Sequence, residues 1–137
     1  MAADRERKPD GKMRWAKLDL DLFADPAIGD LVDAYGAAGV GVWLAAMVAL
    51  YQDNSKTHAP MARKKFLRRV ARTVGGDAGE VSEICGLMAA LGLLDAELWE
   101  RGSAANERVV REVIEYGKRA ERAARASAAR WGDGGAS

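Results

Sequence analysis

At 137 residues, 49% apolar and 30% charged, the chain has the length and composition of one folded domain with tails and not of a disordered polymer. Its net charge of +1 hides segregation: residues 18–60 hold six acids and one lysine, residues 61–74 six bases and no acid, residues 75–100 six acids and no base, and residues 101–131 eight bases and four acids. A lone Cys85 excludes an internal disulfide, and the polar first 17 residues contain no apolar secretory core, so a cytoplasmic protein is expected.

Residues 1–13 read as a polar basic tail. From Trp15 to Phe23 apolar and polar residues alternate, which predicts a short strand with Leu18, Leu20 and Leu22 facing inward. Asp25 and Pro26 suit the cap and first position of a helix whose core positions are Ile28, Leu31, Val32 and Tyr35, and Gly36 ends it. Gly36, Gly39 and Gly41 have the wrong order for a dinucleotide fingerprint and read as a tight interhelical turn with close packing. A second helix, about Val40 to Asp53, is apolar almost all round and should be central. Residues 34–52 are uncharged for 19 positions, near the roughly 20 that span a bilayer. Three glycines and acids at both ends favour a buried helix instead, so no membrane partner is expected.

A polar connector, residues 54–60, carries the only histidine, His58, with no cysteine or carboxylate at ligand or dyad spacing. The next helix, residues 61–74, places Phe66, Leu67, Val70, Ala71 and Val74 on one side and Lys64, Lys65, Arg68, Arg69 and Arg72 on the other, with Arg63 at its start. Lys64, Arg68 and Arg72 stack at i, i+4 and i+8, costing roughly 0.2–0.5 kcal/mol per like-charge pair. Cations near the N-terminal end also oppose the helix dipole. A helix built against its own electrostatics calls for an anionic partner, a phosphate backbone first. The competing reading is a solvated face answered by acids elsewhere in the fold.

Gly75-Gly76 stops that helix, and Asp77 with Glu80 makes a capping-box start for the next, whose buried face is Val81, Ile84, Cys85, Met88 and Leu91. Its outward positions, Glu83, Gly86, Leu87 and Ala90, hold no donor able to read a base edge. Gly86, Leu87 and Ala90 read instead as a surface for docking another helix. Residues 92–102 suit a β-hairpin. Residues 106–131 form a long amphipathic helix with Val109, Val113, Tyr116, Ala120, Ala124 and Trp131 on one side, and Arg108, Arg111, Lys118, Arg119, Arg122, Arg125 and Arg130 on the other. A disordered tail, 132–137, is expected to follow. The expected fold is mainly α with a small β-hairpin: a winged helix-turn-helix over residues 14–105, then the basic helix over 106–131.

Three blocks resemble a known family. Trp15 to Ile28, then Tyr35 to Trp43 with Leu44 and Tyr51, then Gly92 to Gly102 are similar to the N-terminal domain of phage replisome organisers, replication-initiation proteins related to the DnaD-like primosome components. Arg119 to Gly132 resembles the basic linker that often follows it. The resemblance implies a winged-helix fold, DNA as ligand, and a replicative helicase or helicase loader as a further partner.

The expected function is therefore DNA binding in phage-type replication initiation, largely through phosphate contacts and with low sequence specificity. Arg63, Lys64, Lys65, Arg68, Arg69 and Arg72 would supply these contacts from the first basic helix. Arg108, Arg111, Lys118, Arg119, Arg122 and Arg125 would supply them from the last. Self-association is expected, and no enzyme activity, metal or cofactor; paired Asp19 and Asp21 read as surface acids. Two alternatives stand beside this reading: an oligomerising interaction module that barely touches DNA, and a winged-helix transcriptional regulator.

Overall fold

The computed structural model describes residues 13–136, with side chains as far as Trp131. Helix α1 (Pro26–Thr57), strand β1 (Met61–Ala62), helices α2 (Arg63–Val74), α3 (Ala78–Ala90) and α4 (Ala96–Glu100), strand β2 (Ser103–Ala104) and helix α5 (Glu107–Ala136) follow in order. The fold is mainly helical, with one two-stranded antiparallel sheet pairing Met61 with Ala104 and Ala62 with Ser103.

Helix α1 begins as its sequence dictates: Asp25 Oδ1 accepts the Ala27 N–H at 2.8 Å, and Pro26 takes a position that needs no N–H. It is not one rod. Gly36, at φ 60° and ψ −136°, divides it into arms of residues 26–35 and 37–57. Gly39 then lets the arms close, since a Cβ there would sit 3.0 Å from the Leu31 carbonyl oxygen and 3.3 Å from Tyr35 Cβ. Close packing holds at Gly39 and not at Gly41, which faces open space.

The long arm is the hub. It packs against α2, α3 and α5, and its Ala46 and Leu50 are buried with Leu31, Phe66, Val70, Ile84, Cys85, Met88 and Val109. Helix α1 is also long and apolar enough to cross a bilayer by length and composition. Phe66 meets Trp99 edge to face, centroids 5.9 Å apart, so α4 closes one end of the core.

Several expectations change. Residues 15–23 form no strand: Leu18 is 65% and Leu20 91% exposed. Asp19 turns the chain instead, its Oδ1 accepting the Asp21 N–H at 2.9 Å and its carbonyl the Leu22 N–H at 3.1 Å. Residues 92–102 form no hairpin. Asp95 Oδ1 accepts the Leu98 N–H at 3.0 Å and caps α4, so the strand that follows pairs back to β1 across the whole α2–α3 unit. Local cap chemistry outweighed the glycine-rich hairpin pattern. The connector after Asp53 stays helical to Thr57, and His58 ends it in the left-handed region at φ 55°. Finally, α5 continues in its backbone to Ala136, where a disordered tail was expected from residue 132. The expected basic tail lies outside the described residues except for Met13.

Candidate nucleic-acid interface

Helix α2 stands on the core by Phe66 and Val70, both 0% exposed, with Leu67 and Ala71 half-buried beside them. Gly75, at φ 67°, ends it, its N–H donating to the Ala71 carbonyl. The six cations of this segment divide into two sets. Arg63 works inside the fold: its Nη1 donates to the Trp99 carbonyl at 2.6 Å, and its guanidinium lies 5.5 Å from the Trp99 ring centroid. Lys65 pairs with Asp53, Nζ to Oδ1 3.3 Å. Lys64, Arg68 and Arg72 are exposed and Arg69 half-buried, and among the described residues none of these four forms an ion pair. The reading of a face answered by acids therefore holds for Lys65, and the reading of an unanswered cationic column holds for Lys64, Arg68 and Arg72. Arg63, grouped with the surface cations from sequence, is half-buried and packs on Trp99.

Helix α5 shows a similar division. Asn106 caps it, Oδ1 accepting the Val109 N–H at 3.0 Å and Nδ2 donating to the Leu93 carbonyl at 2.7 Å. Val109 and Val113 are buried, so the first two turns belong to the core and not to an appended element. Arg108 is engaged within the chain: its Nε donates to Glu112 Oε1 at 2.9 Å, and Glu112 also accepts the Tyr51 hydroxyl. Burial alone would raise the Glu112 carboxyl, but hydrogen bonds from Tyr51 and Arg108 outweigh it and hold the group below its ordinary value. Burial first, then the bond to Glu112, pushes the Tyr51 phenol well above its own. Lys118 stands 3.9 Å from Glu115, and Arg125 3.7 Å from Glu121. Arg111, Arg119 and Arg122 are exposed, and among the described residues they form no ion pair. Helices α2 and α5 both pack on α1 and make little contact with each other.

The docking surface on α3 is changed in part. Ala90 is exposed, and a Cβ on half-buried Gly86 would meet nothing within 4 Å, which leaves room for a neighbour. Leu87 is half-buried and packs against the core, so it does not stand clear as a partner anchor. Burial pushes the Cys85 thiol up to about 12, which makes it an inert core side chain.

Reasoning from sequence missed three partners: Asp53 for Lys65, Trp99 for Arg63, and the Tyr51–Glu112–Arg108 cluster. The cluster left one trace, the Arg108/Glu112 spacing of four. Nothing in the sequence could have joined Tyr51 to Glu112, which are 61 residues apart.

The family model described as Lin1244/Lin1753-like, N-terminal, matches residues 15–108, and the chain belongs to that family. No curated protein and no solved structure matches it.

Proposed function

We propose that this protein binds DNA through phosphate contacts, with little sequence preference, as an accessory of phage-type replication initiation. The observation that carries the reading is the column of Lys64, Arg68 and Arg72, exposed and without ion-pair partners among the described residues, on a helix whose other side is fixed by Phe66 and Val70. Like charges stacked at this spacing cost the isolated helix energy that a polyanion returns, because each phosphate neutralised releases condensed counterions. Arg111, Arg119 and Arg122 add exposed cations on α5.

The winged-helix reading belongs to the same proposal. A strand before α2, the pair α2–α3, and a second strand pairing back to the first are the order it requires, while α4 stands where its hairpin would be. The exposed face of α3 carries no Arg, Lys, Asn or Gln, and Ser82 is its one side-chain donor, which favours backbone binding over sequence reading. That weighs against a transcriptional regulator on the same fold.

Titration of a fluorescent random duplex at a series of salt concentrations tests the proposal. The logarithm of affinity should fall steeply and linearly with the logarithm of salt, with similar affinities for unrelated sequences. Absence of binding at low salt refutes it.

A further inference from the structure

The first turns of α5 dock on the core by Val109 and Val113, yet the same stretch turns two further apolar side chains outward. Val110 is 40% and Ile114 48% exposed. At 100° per residue they share one stripe with Gly117. A mid-helix glycine costs about 1 kcal/mol against alanine. Nothing in its own chain requires one at this position, because a Cβ there would meet nothing within 4 Å. That space lets a second backbone approach closely. A groove of about 700 Å³ runs along the stripe, with Val110 and Ile114 in one wall and Ala59, Pro60 and Leu98 in the other.

The charges on this face say what fits it. Glu107, Arg111, Glu115 and Lys118 line the same groove and are all exposed, so along the helix the signs run minus, plus, minus, plus. Read backwards, the row is plus, minus, plus, minus. A second α5 laid antiparallel, with a twofold axis level with residues 112–113, therefore sets Glu107 against Lys118 of the other copy and Arg111 against its Glu115. The symmetry makes each contact twice. A parallel copy would set like charge against like. The chain itself barely uses the row: Lys118 lies 3.9 Å from Glu115, and among the described residues neither Glu107 nor Arg111 is in an ion pair. The neighbouring acids are already engaged. Asp95, in the far wall, accepts the Leu98 N–H at 3.0 Å, and Glu121, one turn beyond, lies 3.7 Å from Arg125.

We infer that the Val110–Ile114–Gly117 stripe is the contact face of a homodimer, in which α5 packs antiparallel on α5 of a second copy of this chain across a twofold axis. The contact is isologous, so it closes at two copies. Residues 107–118 span about 18 Å of helix, which makes the interface smaller than the standard size and the dimer weak and reversible. This inference does not rest on the DNA-binding reading, and its test contains no DNA. In the dimer Arg111 faces Glu115 and leaves the phosphate-binding set, while Arg119 and Arg122 lie beyond the paired stretch.

Sedimentation velocity on the full chain tests the inference with two single variants. The wild type should pass from monomer to dimer and no further as its concentration rises, and less readily at high salt. Arg111→Glu sets acid against acid in its own homodimer, and Glu115→Arg sets base against base. Each alone should associate at least about tenfold more weakly than the wild type. Mixed in equal amounts, the two restore both contacts across the axis, although within each chain positions 111 and 115 still repel. The mixture should therefore form a 1:1 heterodimer about as readily as the wild type dimerises. Circular dichroism melts check that the variants are folded. If a charge variant melts early, Val110→Ser with Ile114→Ser takes its place and should be monomeric. A wild type that stays monomeric up to millimolar concentration overturns the inference, as does one that grows beyond a dimer. So do folded charge variants that associate like the wild type, a folded mixture that forms no heterodimer, or a folded serine variant that still dimerises.

Discussion

Lys65 Nζ lies 3.3 Å from Asp53 Oδ1 and ties the start of α2 to the end of α1 across the connector. The pair is lopsided, the lysine side chain 55% and the aspartate 7% exposed. Thr57 Oγ1 also donates to Asp53 Oδ2, at 3.4 Å, so the carboxylate keeps one weak partner if the lysine is lost. Lys65→Met should therefore destabilise the fold by about 1–2 kcal/mol, below the usual cost of breaking a fully buried pair. Adding Asp53→Asn should recover part of that loss. Urea denaturation of the two single variants and the double variant measures the coupling. Equal losses with no recovery would mean that the pair contributes nothing.

Arg68→Glu with Arg72→Glu should leave stability within about 0.5 kcal/mol, because both side chains are exposed and unpaired among the described residues. If the interface is placed correctly, affinity for any duplex falls at least about tenfold and the salt slope shrinks by about two. Anisotropy titrations beside thermal melts give both numbers. Unchanged binding by a folded variant would move the interface off α2.

Arg63 should behave in the opposite way. Its guanidinium donates to the Trp99 carbonyl at 2.6 Å and lies over the Trp99 ring, so Arg63→Ala removes a hydrogen bond and a cation–π contact together. A stability loss of about 1–2 kcal/mol is expected, with a salt slope for DNA binding like that of the wild type. A normal melt combined with weakened binding would return Arg63 to the surface set.

What could be read from sequence was what is decided locally. Asp25-Pro26, the Asp77–Glu80 cap and Gly75 each act within one turn, and the structure uses all three as the sequence suggests. The strand at Trp15–Phe23 failed because alternation signals a strand only where a sheet edge is available. The single sheet among the described residues has two residues per strand, and Asp19 spends its side chain on a turn. The hairpin failed because Asp95 is a better helix cap than turn residue in this context, and its N–H is also held by the Ala105 carbonyl at 2.8 Å. In the candidate interface, periodicity separated the faces of α2 correctly but could not tell Arg63 from Arg68. That distinction depends on Trp99, 36 residues further along the chain.

Truncation separates the two halves of α5. Val109 and Val113 are 1% and 3% exposed, so ending the chain after Gly102 removes core side chains and should cost several kcal/mol, enough to unfold a domain of this size. Ending it after Lys118 removes, among the described side chains, exposed ones and half-buried Ser127, and should leave the melting temperature within a few degrees of the full chain. Differential scanning calorimetry of the two shortened chains checks the contrast. Equal melting temperatures would mean that the first turns of α5 are not part of the cooperative core.

The Tyr51–Glu112–Arg108 cluster gives the fold a pH signature at both ends of the scale. Glu112 has a lowered folded pKa, so its contribution is present above the ordinary carboxylate value and is lost as pH falls through the folded one. Tyr51 is an acid whose folded pKa is raised, first by burial and then by the Glu112 hydrogen bond, which favours the protonated phenol in the folded state. Above about pH 10 the unfolded chain releases that proton and the folded chain does not, so wild-type stability must fall there. Tyr51→Phe removes the hydrogen bond and should cost about 1–2 kcal/mol near neutrality. It also removes the titrating group, so the variant should lose less stability than the wild type between neutrality and pH 11. The two curves of unfolding free energy against pH should therefore converge at the alkaline end. Parallel curves would show that Tyr51 ionises as freely in the folded chain as in the unfolded one, and that its bond to Glu112 does not hold α5 to α1.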